Sequence, residues 1–124
     1  MGEGFELIGI HHVQLAMPDG EEAEAVRFYR DALGLTEVPR PPALSPRGGV
    51  WFISGDLEVH LGVEDQFRPA VKAHPAILVK GLEKLRARIE EAGYKISDTV
   101  QLEGFDRVYV RDPFGNRLEL IEAL

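Results

Sequence analysis

At 124 residues and a formal net charge of −7, the chain has the length of one compact domain with a real core. Its acidic balance disfavours nucleic acid or an anionic membrane as a partner. The absence of cysteine excludes disulfides, a thiolate nucleophile and sulfur-rich zinc sites.

No stretch approaches the roughly 18 apolar residues of a membrane span. The opening Met-Gly-Glu-Gly-Phe-Glu has neither the basic region nor the apolar run of a signal peptide. A soluble, cytoplasmic protein is therefore expected.

In chain order, Ile10 to Met17 reads as a strand, with Val13, Leu15 and Met17 on one face and His12, Gln14 and Ala16 on the other. From about Glu21 a helix follows, with Val26, Tyr29 and Leu33 at helical spacing and acidic residues in the first turn, where the dipole favours them. Gly34 stands where a left-handed cap belongs. The Pro- and Gly-rich stretch from Pro39 to Gly49 reads as a loop, either a flap over a site or a plain connection. The next strand sets Leu57, Val59 and Leu61 against Glu58 and His60. Glu64 to Lys72 is a connector.

The second half repeats this plan. Ile77 and Val79 oppose His74, Ala76 and Leu78. A helical stripe of Leu82, Leu85 and Ile89 stops at Gly93. Val108 and Val110 oppose Arg107, Tyr109 and Arg111, and Leu118 and Leu120 oppose Arg117, Glu119 and Ile121. A turn at Asp112-Pro113-Phe114-Gly115-Asn116 joins these two strands. If that five-residue loop is symmetric, Tyr109 lies directly opposite Glu119.

Two copies of one repeat follow from this plan, about residues 8–64 and 73–124, within a single domain over 1–124. His12 and His74 occupy matching places at their starts, and His60 and Glu119 match in the last apolar strand of each. Four groups able to bind a divalent ion thus sit in two equivalent pairs. Imidazole and carboxylate without sulfur suit Zn, Ni, Co, Mn or Fe. Glu58 shares a face with His60 and is an alternative fourth ligand. His11 is expected on the opposite face in a structural role, and Glu122 is expected to be solvated. Tyr109, Arg107 and Gln14 are candidates to orient a substrate or a ligand. Trp51 and Phe52 are expected to pack, and Phe67 and Phe105 to line a pocket.

Ile10-His11-His12-Val13, Phe28-Tyr29-Arg30-Asp31-Ala32-Leu33-Gly34-Leu35 and Asp112-Pro113-Phe114-Gly115-Asn116-Arg117-Leu118-Glu119-Leu120-Ile121-Glu122 resemble the vicinal oxygen chelate superfamily. That superfamily includes glyoxalase I, methylmalonyl-CoA epimerase, fosfomycin-resistance thiol transferases, extradiol dioxygenases and bleomycin-resistance proteins. The resemblance spans essentially the whole chain. It implies an α+β fold of two tandem βαβββ modules, a curled and mostly antiparallel sheet around a central cavity with helices outside. It assigns the metal to His12, His74 and Glu119, with His60 at a variable fourth position. It further implies one divalent ion acting as Lewis acid on a small oxygen-rich substrate, with Glu119 as base, and a homodimer. An Fe(II) ring-cleaving dioxygenase and a bleomycin-type binding protein are the alternatives, and the site lies either in one chain or across the dimer.

Overall fold

The computed structural model describes residues 4–44 and 46–124; Ser45, in the Pro-rich loop, and residues 1–3 lie outside it. Strand β1 (Val13–Met17) leads into helix α1, which is α-helical over Glu22–Val26 and π-helical over Arg27–Ala32. In its last turn the Leu33 N–H reaches back five residues to the Phe28 carbonyl, at 2.9 Å, the widened spacing of a π turn. Gly34 then takes φ +86°, a left-handed conformation that a side chain disfavours. Strand β2 (Thr36–Val38), a 3₁₀ turn (Pro42–Leu44), β3 (Gly49–Ser54) and β4 (Leu57–Val63) complete the first module. The second comprises β5 (Ala76–Leu78), α2 (Leu82–Glu91), β6 (Ile96–Asp98), β7 (Phe105–Arg111) and β8 (Arg117–Ala123).

Each module forms an open four-stranded sheet, ordered β1-β4-β3-β2 and β5-β8-β7-β6. In each, the first and last strands of the module pair in parallel and the other neighbours are antiparallel. This is the expected α+β fold of two tandem βαβββ units, mostly antiparallel and not closed into a barrel. No helix among the described residues is long and apolar enough to cross a membrane.

Period-two alternation decides what each sheet buries. Val50, Phe52, Val59 and Leu61 from one sheet and Val108, Val110, Leu118 and Leu120 from the other join Phe28, Tyr29 and Ile89 of the helices in one continuous core. The opposite faces therefore carry Trp51, His60, Tyr109 and Glu119. A buried polar clamp fixes the modules to each other. Asp112 accepts the Tyr29 hydroxyl at 2.7 Å and the Asn116 amide at 2.9 Å, while Asn116 also donates to the Ala16 carbonyl at 2.8 Å. Burial pushes the Asp112 carboxyl up, against the pull of its bonds from Tyr29, Asn116 and Phe114. Burial and the Asp112 charge raise Tyr29 well above the ordinary phenol value, so it remains a donor.

Two local expectations change. Ladder pairing of β1 starts only at Val13, opposite Val59; residues 10–12 lie outside any strand, so alternation does not govern His11. Glu122 is more than a solvated charge. Its carboxylate accepts the Gly81 and Leu82 N–H groups at 2.7 and 3.0 Å, capping α2, and these bonds lower its pKa.

Candidate metal centre

The four ligand-type residues fall into two clusters in one chain, one per module. In the second, Tyr109 pairs with Glu119 across β7 and β8, so the symmetric five-residue turn is observed. Pairing of Ala76 with Glu119 brings the preceding His74 to the same face, and His74 Nε2 stands 3.0 Å from Glu119 Oε1. The other ring nitrogen, His74 Nδ1, is 2.8 Å from the Lys72 carbonyl. A carbonyl accepts only, so Nδ1 carries the proton, and in the neutral ring Nε2 is left with a lone pair. That lone pair and a carboxylate oxygen face each other. Only a proton or a cation between them makes the contact favourable, and a backbone-anchored imidazole beside a carboxylate is the usual support of a metal ligand.

Arg107 holds Glu119 from the far side. Its Nε and Nη2 donate to the Val100 carbonyl at 2.9 and 2.6 Å. Its Nη1 lies 3.3 Å from both Glu119 Oε2 and the Tyr109 hydroxyl. Glu119 is buried, and this guanidinium offsets the cost of desolvating its charge. Because the Tyr109 oxygen accepts from Arg107, its own O–H remains free to donate. Arg107 thus positions Glu119 and Tyr109.

In the first module His60 is buried between two rings. Trp51 stacks on it at 3.8 Å between centroids with planes 3° apart, and His12 stacks at 4.2 Å and 20°. Trp51 therefore does pack, as expected, but its partner is a proposed ligand; Phe52 is wholly in the core. Burial lowers the His60 pKa, and the neighbouring His12 lowers it further, against the Glu58 carboxylate 3.4 Å from Nε2. The neutral imidazole needed by a metal is thus the favoured form. His11 is exposed, with Nδ1 2.9 Å from His12 Nδ1. One of these nitrogens carries the shared proton, so His11 orients His12.

A cleft of about 660 Å³ between the modules is lined by His11, His12 and Glu58 on one side and by His74, Pro75 and Ala76 on the other. The two clusters border it without meeting: among the described residues, no three His, Asp or Glu side chains converge on one metal position. Neither Phe67 nor Phe105 lines this cleft; Phe67 packs edge-on against Phe114. Gln14 is exposed, and its amide lies over Gly62, where an added Cβ would meet Gln14 Nε2 at 2.5 Å. Arg117 was absent from the sequence-derived site residues, yet its guanidinium lies over the Tyr109 ring at 4.7 Å. Its position two residues before Glu119 on β8 was the signal for it.

A family profile described as Glyoxalase/Bleomycin resistance protein/Dioxygenase superfamily matches residues 9–120. The crystal structure of a Bacillus anthracis protein assigned to the glyoxalase family is 42% identical, with a TM-score of 0.93 over 97% of this chain and 98% of that one. The chain belongs to the glyoxalase/bleomycin resistance/dioxygenase superfamily. The fosfomycin resistance protein FosX from Listeria monocytogenes is 16% identical, with a TM-score of 0.71 over 96% of this chain and 94% of that one. A virulence protein of Salmonella typhimurium is 22% identical, with a TM-score of 0.75 over 97% of this chain and 100% of that one. At such identities these two show a common fold alone. No curated protein matches the chain.

Proposed function

We propose that the protein is a divalent-metal-dependent enzyme of the glyoxalase-like group, performing lyase or isomerase chemistry on a small oxygen-rich substrate. The observation that carries this is the His74–Glu119 contact, an imidazole anchored through Nδ1 to the Lys72 carbonyl with its Nε2 3.0 Å from a buried carboxylate oxygen. His12, His60, His74 and Glu119 would hold the ion. When bound, it supplies Lewis acidity to substrate oxygens. The chain supplies the rest. Glu119, steadied by Arg107, moves a carbon-bound proton. The free O–H of Tyr109 donates to a substrate oxygen. The Trp51–His60–His12 stack keeps one imidazole neutral and excludes water from behind it.

The site is completed by a second copy of the chain. One chain presents two half-sites, and β1 and β5 are both terminal strands with a free edge. Free edges are normally blunted or covered. Here Leu78 of β5 is exposed, and Phe5, Leu7, Ile8 and Ile10, leading into His12, are also exposed, Leu7 at 96%. Apolar groups this exposed and this close in sequence mark an interaction surface, and a homodimer that places His12 and His60 of one copy against His74 and Glu119 of the other covers it.

Elemental analysis of purified wild type and of His74→Ala tests the reading. About one equivalent of Zn, Ni, Co or Mn per chain, lost in His74→Ala with the fold intact, supports it. Iron in that role redirects it to ring-cleaving dioxygenase chemistry. No metal after reconstitution refutes it in favour of a bleomycin-resistance-like binding protein.

A further inference from the structure

We propose that Arg117, with Arg111 beside it, forms an oxyanion subsite two residues along β8 from Glu119, so that the substrate is a small acid carrying a carboxylate, phosphate or phosphonate group besides its chelating oxygens. The second clause rests on the metal-dependent reading above; the subsite itself does not.

Arg107, Arg111 and Arg117 share one face of β7 and β8 with Tyr109 and Glu119. That puts three arginines and one glutamate on a single sheet face, in a chain whose net charge is −7; Arg107 alone touches the Glu119 carboxylate. Arg111 and Arg117 are direct cross-strand partners, a like-charge pairing that by itself destabilises a sheet. The three are not equivalent. Arg107 is spent on Val100, Tyr109 and Glu119, and Arg111 donates to the Gly115 carbonyl at 2.9 Å. Arg117 is half-buried, and among the described residues no acceptor or carboxylate meets its guanidinium; it lies over the Tyr109 ring alone.

A guanidinium lying over an aromatic ring at 4.7 Å, with no acceptor on it, keeps its N–H donors available to an oxyanion. Two residues along one strand span about 7 Å. An anionic group at Arg117 therefore sits within a short carbon chain of oxygens bound beside Glu119. The bound anion would also relieve the repulsion between Arg111 and Arg117.

Two measurements on the full-length protein test this. In metal-free protein, inorganic phosphate is titrated at constant ionic strength while arginine Nε–H resonances are followed, with Arg117→Gln providing the assignment. A saturable shift at Arg117 that chloride does not reproduce is expected; a shift no larger than chloride's overturns the proposal. In cobalt-loaded protein, the absorption bands report binding of acetohydroxamate, of its carboxylate-bearing analogue succinomonohydroxamate, and of the corresponding phosphonate. A charged arm is expected to tighten binding about tenfold or more, and Arg117→Gln should abolish that gain. The arm giving the larger gain identifies the anion, and equal binding of all three by wild type overturns the proposal. If acetohydroxamate leaves the cobalt bands unchanged, the metal reading has failed, and the phosphate titration alone decides the subsite.

Discussion

Subunit complementation puts the split site to a direct test. Consider His12→Ala in one chain and His74→Ala in another. If His12 and His60 of one copy meet His74 and Glu119 of the other, each mutant homodimer has two sites that each lack one imidazole. The heterodimer concentrates both losses in one site and leaves the other intact. Loss of a residue that merely supports a ligand costs 10–100-fold in metal affinity, so loss of the ligand itself should cost on the order of 100-fold or more. After a chelator wash that wild type survives, both homodimers should therefore be empty. The heterodimer, isolated through two different tags, should keep about one ion per dimer, half the wild-type content. Activity, once a substrate is known, should follow the same ratio. If instead one chain folds its own clusters together, every site in the heterodimer is broken. A heterodimer as empty as the homodimers refutes the exchanged arrangement.

Three further outcomes follow from the geometry. Tyr29→Phe removes one donor from the buried Asp112 carboxylate, a loss of about 2 kcal/mol for a bond to a charged group. With an unfolding entropy near 2.1 cal/mol/K per residue, this should lower Tm by about 8 °C in scanning calorimetry at fixed protein concentration, and an unchanged Tm would show that the clamp is not stabilising. Glu122 has a folded pKa lowered by the α2 N–H groups, so its stabilising contribution is complete above its unfolded value and is lost as pH falls through the folded one. The difference in urea midpoint between wild type and Glu122→Gln should be constant near neutrality and shrink in acid; a gap independent of pH contradicts the cap. His11→Ala should keep the full metal stoichiometry but weaken affinity by about tenfold, because it removes the ring that orients His12, and a complete loss of metal would make His11 itself a ligand.

The fold was legible because its signals are local and doubled. Alternation gave the buried faces, Gly34 and Gly93 gave the helix ends, and the length of the 112–116 turn fixed Tyr109 opposite Glu119. What escaped was set by groups distant in sequence. The exchange of Glu122 from solvated charge to helix cap depends on α2 beginning, 41 residues earlier, at the end of its strand. His11 was misplaced because alternation was extended three residues past the point where β1 finds a partner. Trp51 reads as core in a strand of apolar residues, and only the Trp51–His60 cross-strand register turns it towards the ligand face.

The same logic explains why the two ligand clusters of one chain border the cleft without meeting. A duplicated module gives each copy the same half of a ligand set, on the strand that begins it and the strand that ends it. Parallel pairing of those two strands keeps each half together but leaves the first strand at the sheet edge. Joining the halves then requires edge to meet edge. Within the chain, the Tyr29–Asp112 and Asn116–Ala16 bonds already hold the modules through their buried faces, which leaves the edges for the proposed second copy. On the proposed arrangement, the clamp that stabilises the monomer is also what commits the metal site to an interface. Weakening it should loosen metal binding as well as folding, and a Tyr29→Phe protein that lost stability while holding metal with wild-type affinity would separate the two.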